Sequence, residues 1–489
     1  MTPARAIGAG LVLGCALGAC LSQVELAPGA PDQIVVLGEV PAQIIERFAR
    51  ERGGTSDGRL RLDYPATNTE LPADLAAMRF AWSVSPKAPP APKPMPMAPK
   101  AKGDPPAKNA DYFELCLQTE RRTSCAYTDA TQLFLEEQTW RPLLEDAAHV
   151  VVRLRGLAAD SPEPMVAADS ALSVVSPSAR GSVYFVQDGS RLRRAPLSAA
   201  MADDVELALD GMSAVYAVSR DGTRLALARA PDQLEIRSLP SLEVVASASW
   251  PAPCAAPPDA LAFDPGGRRL VFACTGALVL VDADTAAPIP LSGELAQARL
   301  AQPSWSPDGR QLVFALWPDD PMMPAAPEQE GTSLARSHVS VDGSFGPVEI
   351  LVQSDKRDDT LAFPSFSPTG DWIAFLRAKG KLRDAREAQP WLVAAAGGSP
   401  LALELPKEPK AKLTLASPVA FPSWLPSEDG TLAWLTFSAQ GWLTPTTQLW
   451  SVPVHFAELG GPEARALPPI WLPFQPLDGN VLAPAFAPR

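Results

Sequence analysis

Few residues of this 489-residue chain have the types and spacing that catalysis requires. The three histidines, His149, His338 and His455, are isolated from one another and do not sit at metal-ligand spacing. The chain has no Walker loop and no Gly-x-Gly-x-x-Gly after a strand. The sequence therefore predicts a protein that is not an enzyme and that holds no metal and no cofactor.

Carboxylates are the one reactive group that the chain has in quantity, with 55 Asp and Glu residues. Asp282-x-Asp284 and Asp319-Asp320 lack the further oxygen ligands of a calcium loop. A pair of carboxylates that cleaves a polysaccharide stays open as an alternative, although no local pattern supports one.

The N-terminus has the pattern of a targeting segment. Arg5 gives a positive start, and Ile7 to Ala19 is an apolar run that is too short to span a membrane but suits a secretory signal. The run ends in Leu17-Gly18-Ala19-Cys20, which resembles a bacterial lipobox. The resemblance implies a lipoprotein signal peptide over residues 1–19 and a lipid anchor on Cys20.

The residue after the anchor indicates the destination. Leu21 stands where an Asp would retain a lipoprotein in the inner membrane, so the resemblance implies an outer-membrane anchor, facing the periplasm or the cell surface. Two alternatives stay open: lipidation at the poorer site Cys15, and an ordinary signal peptide with an incidental cysteine.

The other four cysteines are Cys116, Cys125, Cys254 and Cys274. An even number in an exported protein suggests two disulfides, for which three pairings are possible. We expect the local pairs, Cys116–Cys125 and Cys254–Cys274, because each pair flanks a predicted hairpin turn. Neither spacing is a Cys-x-x-Cys metal or redox motif.

Composition limits the partners and the fold class. The net charge of −13 argues against nucleic acid, whose phosphates need clustered Lys and Arg. The 54 prolines favour strands and loops over helices. The length suggests two or three domains, and we expect a monomer.

A tight turn between two short apolar strands recurs along the second part of the chain. The clearest copy is Pro303-Ser304-Trp305-Ser306-Pro307-Asp308-Gly309, followed by the strand 310–315. Pro fixes φ at the first turn position, Asp supplies a polar side chain and Gly the residue with φ > 0. The other copies lie at 217–222, 263–267, 364–370 and 422–430, with a worn first copy at 175–181. A repeat of about 40–60 residues with short strands is typical of a β-propeller.

These repeats resemble the blades of the TolB family, which carry a Pro-x-Trp/Phe-Ser-Pro-Asp-Gly turn. The resemblance covers residues 165–489 and implies a TolB-like β-propeller. Six copies and a closing strand at 480–486 favour six blades; seven stay open because Leu172–Ser176 resembles a further inner strand. In that family the propeller docks a peptidoglycan-associated lipoprotein, but the family's α/β N-terminal domain is not evident here.

The region before the propeller is predicted to hold a second, smaller all-β unit. Residues 20–57 are interpreted as a tether with one short helix after Pro41. Strand patterns over 58–160 predict a small β-sandwich, and the segment from Tyr64-Pro65 to Trp82 is similar to the opening of a fibronectin type III domain. The Pro/Ala/Lys tract 85–109 is interpreted as a disordered insertion in a sandwich loop, or as a linker between small domains.

Binding is expected on one face of the propeller. The Ser-Pro-Asp-Gly turns all lie on one face, whereas the long insertions of blades four to six lie on the other, which we call the long-loop face. Long loops on a rigid ring are where binding usually occurs. The candidate binding residues are Trp317, Asp319, Asp320, Arg357, Asp358, Asp359, Arg377 and Lys379.

The sequence thus predicts an all-β, lipid-anchored, non-catalytic binding or scaffold protein of the cell envelope, whose partner is an envelope protein or polysaccharide. A polysaccharide lyase or glycosidase and a carbohydrate-binding module are the alternatives. Clustered carboxylates with raised pKa values in the channel mouth would favour the enzyme, and a flat apolar rim would favour a protein partner.

The anchor prediction is tested by Cys20→Ser. Because the thiol is the lipid attachment point, the variant should move from the membrane fraction to the soluble periplasmic fraction, as measured by fractionation and immunoblotting. Labelled palmitate that never enters the wild-type protein would contradict the lipoprotein assignment.

Overall fold

The computed structural model contains two units that pack against each other. It describes residues 31–487 except 52, 55, 57, 86–109, 146, 160–162, 176–180, 190, 198–211, 230–231, 252–253, 255–257, 259, 275, 319–330, 356–358, 381–387, 404–421, 426–429, 441–445, 460–466 and 477–479. The lipobox cysteine and the Pro/Ala/Lys tract from residue 86 onward lie outside the described residues.

The first unit, the N-terminal sandwich, contains ten strands and two helices. In chain order they are β1 (Gln33–Leu37), α1 (Ala42–Arg50), β2 (Leu60–Tyr64), β3 (Glu70–Pro72), β4 (Met78–Val84), β5 (Tyr112–Gln118), β6 (Thr123–Thr128), β7 (Gln132–Leu135), α2 (Glu137–Leu144), β8 (His149–Leu157), β9 (Met165–Val166) and β10 (Ser170–Val175).

Two sheets face each other in this unit. The larger has the order β1-β6-β5-β8-β10-β3 with β9 beside β8, and the smaller has the order β2-β4-β7. Their buried faces share one core, in which the Trp82 ring lies 5.4 Å from that of Phe113. The β5–β6 hairpin places Cys116 opposite Cys125, and these two cysteines form the predicted disulfide.

The sandwich differs from the prediction in two respects. Strand β1 lies in the range interpreted as a tether, where it pairs in parallel with β6, while the predicted helix is present as α1. The parallel pairs β1–β6 and β10–β3 also depart from the fibronectin type III pattern, whose sheets are antiparallel.

The second unit is a ring of six sheets, each of which forms one blade. Blade 1 contains β11 (Ser182–Gln187), β12 (Arg191–Pro196) and β33 (Val481–Ala487); blade 2 contains β13 (Met212–Val218), β14 (Arg224–Arg229), β15 (Gln233–Ser238) and β16 (Val244–Ser249); blade 3 contains β17 (Leu261–Phe263), β18 (Arg269–Cys274), β19 (Ala277–Asp282) and β20 (Pro288–Ile289); blade 4 contains β21 (Leu300–Trp305), β22 (Gln311–Leu316), β23 (Ser333–Val339) and β24 (Phe345–Val352); blade 5 contains β25 (Asp359–Phe366), β26 (Trp372–Lys379), β27 (Gln389–Ala394) and β28 (Leu401–Ala402); blade 6 contains β29 (Ser423–Trp424), β30 (Leu432–Gln440), β31 (Thr447–His455) and β32 (Ile470–Trp471). Short 3-10 turns occur at Glu294–Ala296 and Phe456–Glu458.

The predicted six-bladed propeller is confirmed by these sheets. Blades 2 to 6 each run antiparallel from an inner to an outer strand in chain order. The second strands are continuous apolar runs, as in β22, because both faces of a blade are buried against neighbouring blades. The second predicted disulfide, Cys254–Cys274, is also present.

The C-terminal strand closes the ring. β33 pairs antiparallel with β11 and takes the inner position of blade 1. The proposed extra inner strand at Leu172–Ser176 is therefore wrong: β10 pairs with β8 and β3 in the sandwich. The apolar pattern of β10 suits any half-buried strand, so the sequence pattern does not show to which sheet the strand belongs.

The sandwich docks on the outer strands of blade 6. The Trp471 backbone N–H donates a 2.7 Å hydrogen bond to the Tyr64 hydroxyl, and the Tyr64 ring meets that of Trp450 edge-on at 5.8 Å. The Arg79 guanidinium carbon lies 5.1 Å from the ring centre of Phe134 and 5.0 Å from that of Trp471. These contacts combine apolar burial with cation–π attraction, so they hold the two units in one arrangement.

An ion pair adds to this interface. His455 Nε2 lies 2.7 Å from Glu70 Oε2. The hydrogen bond with Glu70 raises the pKa of His455 against the opposing effect of burial, and the charges of Glu70 and Glu458 act in the same direction. The protonated imidazole is therefore the form that the interface favours.

Deletion of residues 481–489 tests ring closure. The β11 edge would lose its partner and the fully buried Val481 side chain would be lost, so we expect unfolding to become easier by about 3 kcal/mol or more at ~25 cal/mol per Å² of apolar surface. Chemical denaturation measures this. Deletion of residues 488–489 alone is the control, and equal stability of the two truncated proteins would show that β33 does not close the ring.

The His455–Glu70 pair predicts a pH-dependent stability. Because the folded-state pKa of His455 is raised, its contribution is complete below the unfolded pKa of about 6.5 and is lost as pH rises through the folded pKa. His455→Gln should therefore lower the free energy of unfolding by about 0.5–1 kcal/mol at pH 5.5, and much less at pH 9.

The partner variant provides the control for this pair. Glu70→Gln should reduce the same pH dependence. The loss in free energy of unfolding of the double variant should not exceed the sum of the losses of the two single variants. A stability difference between wild type and His455→Gln that is the same at both pH values would contradict the assignment.

Candidate functional site

The long-loop face holds Trp317 in a fixed position. Trp317 follows β22, is half-buried, and its backbone N–H donates a 2.9 Å hydrogen bond to the Arg299 carbonyl. The Arg299 guanidinium carbon lies 5.8 Å from the indole ring centre. Gly276 has a φ of +90°, and a Cβ there would lie only 3.0 Å from Trp317 Cζ3, so glycine leaves the space that the indole occupies. The indole therefore has a set orientation with part of its surface exposed.

Asp359 and Arg377, two other predicted residues, are brought together by the register of β25 and β26. Arg377 Nε donates to Asp359 Oδ1 at 2.9 Å and Arg377 Nη2 to Asp359 Oδ2 at 2.8 Å. Asp355 accepts a further hydrogen bond from Arg377, whose guanidinium carbon lies 5.0 Å from the Trp391 ring centre. The hydrogen bond with Asp359 raises the pKa of Arg377 against the effect of burial. The pair fixes the base of the long-loop face, and Asp359 itself is buried.

The remaining predicted binding residues are distributed differently. Lys379 ends β26 and is exposed. Asp319, Asp320, Arg357 and Asp358 lie outside the described residues. Their role in binding stays a prediction.

The repeated turns on the opposite face have a structural chemistry of their own. In blade 4 the Ser306 hydroxyl donates to Asp308 Oδ1 at 2.6 Å, and the Arg310 N–H donates to the same oxygen at 3.0 Å. The Gln311 N–H donates to the Ser306 hydroxyl oxygen at 2.8 Å. Burial alone would raise the pKa of Asp308, but these hydrogen bonds lower it below its ordinary value. The Ser and Asp of the motif therefore set the turn.

The turn glycines allow neighbouring blades to approach. A Cβ at Gly309 would lie 3.4 Å from Pro265 Cδ of the preceding blade, and one at Gly370 would lie 3.2 Å from Pro307 Cδ. Gly309 and Gly370 also have φ values of +72° and +82°. The turns thus pack one after another around this face, which we call the turn face.

A belt of small side chains surrounds the central channel. The residue two positions before the turn in blades 2 to 6, and its counterpart in β33, is Ala or Ser. In five blades this residue is half-buried, and in four of these five both of its neighbours are buried. The pairing registers of the inner strands place these residues at equivalent positions. The members of this channel belt are Ala217, Ala262, Ser304, Ser365, Ser423 and Ala485.

Small side chains leave a cavity of about 330 Å³ in the channel. Proline, aromatic and aliphatic residues form its walls, including Pro303, Pro364, Phe363 and Phe486. Arg220, from the turn of blade 2, is the one charged residue among the described lining residues, and none of these is a carboxylate. This lining suits apolar contact with a few hydrogen bonds.

Two residues beside the belt are held in left-handed backbone conformations. Gln302 and Phe363 have φ values of 52° and 51° at bulges in β21 and β25. The buried Gln302 side-chain oxygen accepts a 2.7 Å hydrogen bond from the Phe363 N–H, which joins blades 4 and 5 beside the cavity. Such strain is often stored at functional sites.

This cavity was not predicted from the sequence. The available signal was the repeated Pro-Ser before the Trp or Phe of the motif at 303–304, 364–365 and 422–423. A serine at the same place in three inner strands is a polar residue where packing alone would favour an apolar one.

One group of potential metal ligands occurs among the described residues. Glu114, Cys116 and Cys125 offer ligand atoms within 4.8 Å of one another. The two sulfur atoms are bonded to each other, and Glu114 accepts hydrogen bonds from Tyr127 and Arg155. The arrangement therefore stabilises the sandwich and does not present free ligands. No helix within the described residues has the length and apolar character needed to cross a bilayer.

The chain is similar to several solved structures, at low sequence identity and with low TM-scores. No protein-family model and no curated protein matches the chain. TolB from Acinetobacter baumannii is 14% identical, with a TM-score of 0.41 over 70% of this chain and 81% of that chain. A nidogen/laminin complex is 14% identical, with a TM-score of 0.38 over 63% and 98%. A TolB-type structure from Agrobacterium tumefaciens is 16% identical, with a TM-score of 0.34 over 64% and 100%. At these values the likeness carries no weight for function, and the propeller assignment depends on the chain's own sheets.

Proposed function

We propose that the protein is an exported, lipid-anchored, non-catalytic binding or scaffold protein of the cell envelope. Its propeller binds a protein or another envelope component through the long-loop face. The lipid on Cys20 holds it at the outer membrane, and it acts as a monomer.

The fixed Trp317 carries this proposal. A rigid aromatic side chain with exposed surface can contribute much of the binding energy of an interface. It loses little conformational entropy on binding, because its rotamer is already fixed in the free protein. Arg299 and Gly276 provide that selection here. The Asp359–Arg377 pair fixes a neighbouring loop base in the same way.

The composition of the channel supports binding over polysaccharide cleavage. A glycosidase needs two carboxyl groups on either side of the scissile bond. The channel lining within the described residues supplies serine hydroxyls, an amide and one guanidinium, but no carboxyl group. This lining supports neither a general acid nor a nucleophile for that reaction.

The double variant Trp317→Ala/Arg357→Ala tests the proposed face. A soluble form that starts after Cys20 is immobilised and exposed to envelope extract, and the captured partner is quantified. The variant should bind at least tenfold more weakly, which is ~1.4 kcal/mol. Its free energy of unfolding should change by no more than about 1 kcal/mol, since Trp317 is half-exposed and lies outside the blade cores.

Changes in the opposite turn face provide the control. Asp308→Ala and Gly309→Val should destabilise blade 4, because the first removes the hydrogen bonds of the turn and the second places a side chain against Pro265 at positive φ. The folded fraction should still capture the partner. The proposal would be contradicted if the Trp317/Arg357 variant captured the partner normally and the turn variants did not. Binding would then lie on the turn face.

A further inference from the structure

Blade 2 departs from the turn motif at one position. The second residue of the turn is proline in four repeats, at Pro265, Pro307, Pro368 and Pro426, but it is Arg220 in blade 2. Proline suits that position because its fixed φ matches the turn. When a residue that suits the turn less well than proline occupies this position, and no local contact explains it, the position is a candidate for another role.

Arg220 reaches across the channel. Its Nη2 donates a 3.1 Å hydrogen bond to the carbonyl of Pro368, which belongs to the turn of blade 5. Blades 2 and 5 are opposite each other in a ring of six, so the guanidinium spans the mouth of the channel on the turn face. Arg220 is exposed there and also lines the cavity.

Among the residues that the structure describes, the Arg220 guanidinium has no charged partner. Within the described residues Arg220 forms no ion pair, and its hydrogen bond acceptor is a neutral carbonyl. Burial of part of the side chain lowers the pKa of Arg220. A guanidinium has five N–H donors in a planar fork, which match the two oxygens of a carboxylate. A carboxylate would therefore form a stronger contact than the Pro368 carbonyl.

The cavity below Arg220 determines what else the ligand must contain. Its volume of about 330 Å³ and its proline, phenylalanine and alanine walls suit one or two apolar side chains. The Gln302 side-chain oxygen already accepts a hydrogen bond from the Phe363 N–H, and most of the lining residues are apolar. The ligand thus joins a bulky apolar group directly to a carboxylate.

We propose that the turn-face mouth of the channel binds the C-terminal end of a peptide, with the terminal carboxylate on Arg220 and the last, apolar side chain in the cavity. Arg220 spans the opening of the channel. A chain end needs to pass this opening only once, whereas an internal segment would have to enter through it and leave through it again. Ser304, Ser365 and Ser423 line the cavity, where their hydroxyls can bond the last peptide groups. This site lies at the opposite end of the ring from the long-loop face and goes beyond the proposed function.

Fluorescence anisotropy with labelled peptides tests this site on the full soluble chain. The probes are N-terminally labelled hexapeptides that end in Phe, Leu or Val, each as a free acid and as a C-terminal amide. At least one free acid should bind the wild type tenfold or more tightly than its amide. Ser304→Phe, which fills the cavity, should weaken both forms at least tenfold.

Two arginine variants isolate the carboxylate contact. Arg220→Pro restores the residue that the other turns carry, so it should keep the melting temperature and remove the preference for the free acid. Arg310→Gln removes an exposed positive charge from the same face outside the cavity lining and should leave that preference unchanged.

Several results would overturn the proposal. They are equal binding of acids and amides, no saturable binding up to about 1 mM, or a free-acid preference that survives in Arg220→Pro. Tighter binding of an amidated peptide with an internal Asp after the apolar residue, of a fatty acid or of an acidic oligosaccharide would assign the site to a different ligand. The Trp317/Arg357 variant should still bind the peptide, because both substitutions are assigned to the long-loop face. Peptide binding by this variant therefore tests the channel site independently of the proposed function of the long-loop face.

Discussion

The pairing of the last strand with the first blade is the contact on which the rest of the propeller depends. β33 gives β11 its inner neighbour, and without it the ring would have an open edge between blades 6 and 1. Asn480 strengthens this seam from both sides: its backbone N–H donates to Asp188 of blade 1, and its side-chain oxygen accepts a hydrogen bond from the Thr447 N–H of blade 6. The Phe185 and Phe474 rings stack at 5.5 Å in the same region. Both proposed binding surfaces require this closure, since the channel and the positions of the loops exist only in a complete ring.

The N-terminal sandwich adds a second support beside the seam. It contacts blade 6 through Tyr64, Arg79 and Glu70, so the blade that bounds the seam is also the blade that holds the other unit. The chain therefore joins its first and last parts in one region, although they are hundreds of residues apart in the sequence.

The sequence predicts the features that are encoded locally. Pro, Asp and Gly determine each turn by themselves, so the repeats, the six blades and the two disulfides could be inferred. Features that depend on pairing between distant segments could not be inferred. Nearly all residues of β1 are exposed and show no clear alternation, and β10 resembles an inner strand of a blade until its pairing partner is known. The ion pair of Asp359 and Arg377 arises from strand register. The channel belt is harder still, because a serine that recurs in three blades does not by itself show that a cavity lies beside it, whereas Arg220 is the one departure from proline among these turns.

The two faces of the ring thus have different characters. The long-loop face holds a fixed aromatic residue, and the turn face holds the Arg220 guanidinium, which forms no ion pair within the described residues, beside a largely apolar cavity. Both depend on a rigid, closed scaffold, and native-state hydrogen exchange tests that claim most directly. The amides of β33 that pair with β11 should exchange with the same opening free energy as those of the inner strand β21, because the ring should open only on global unfolding. Rapid exchange of β33 while β21 stays protected would show that the seam opens locally and would contradict the account.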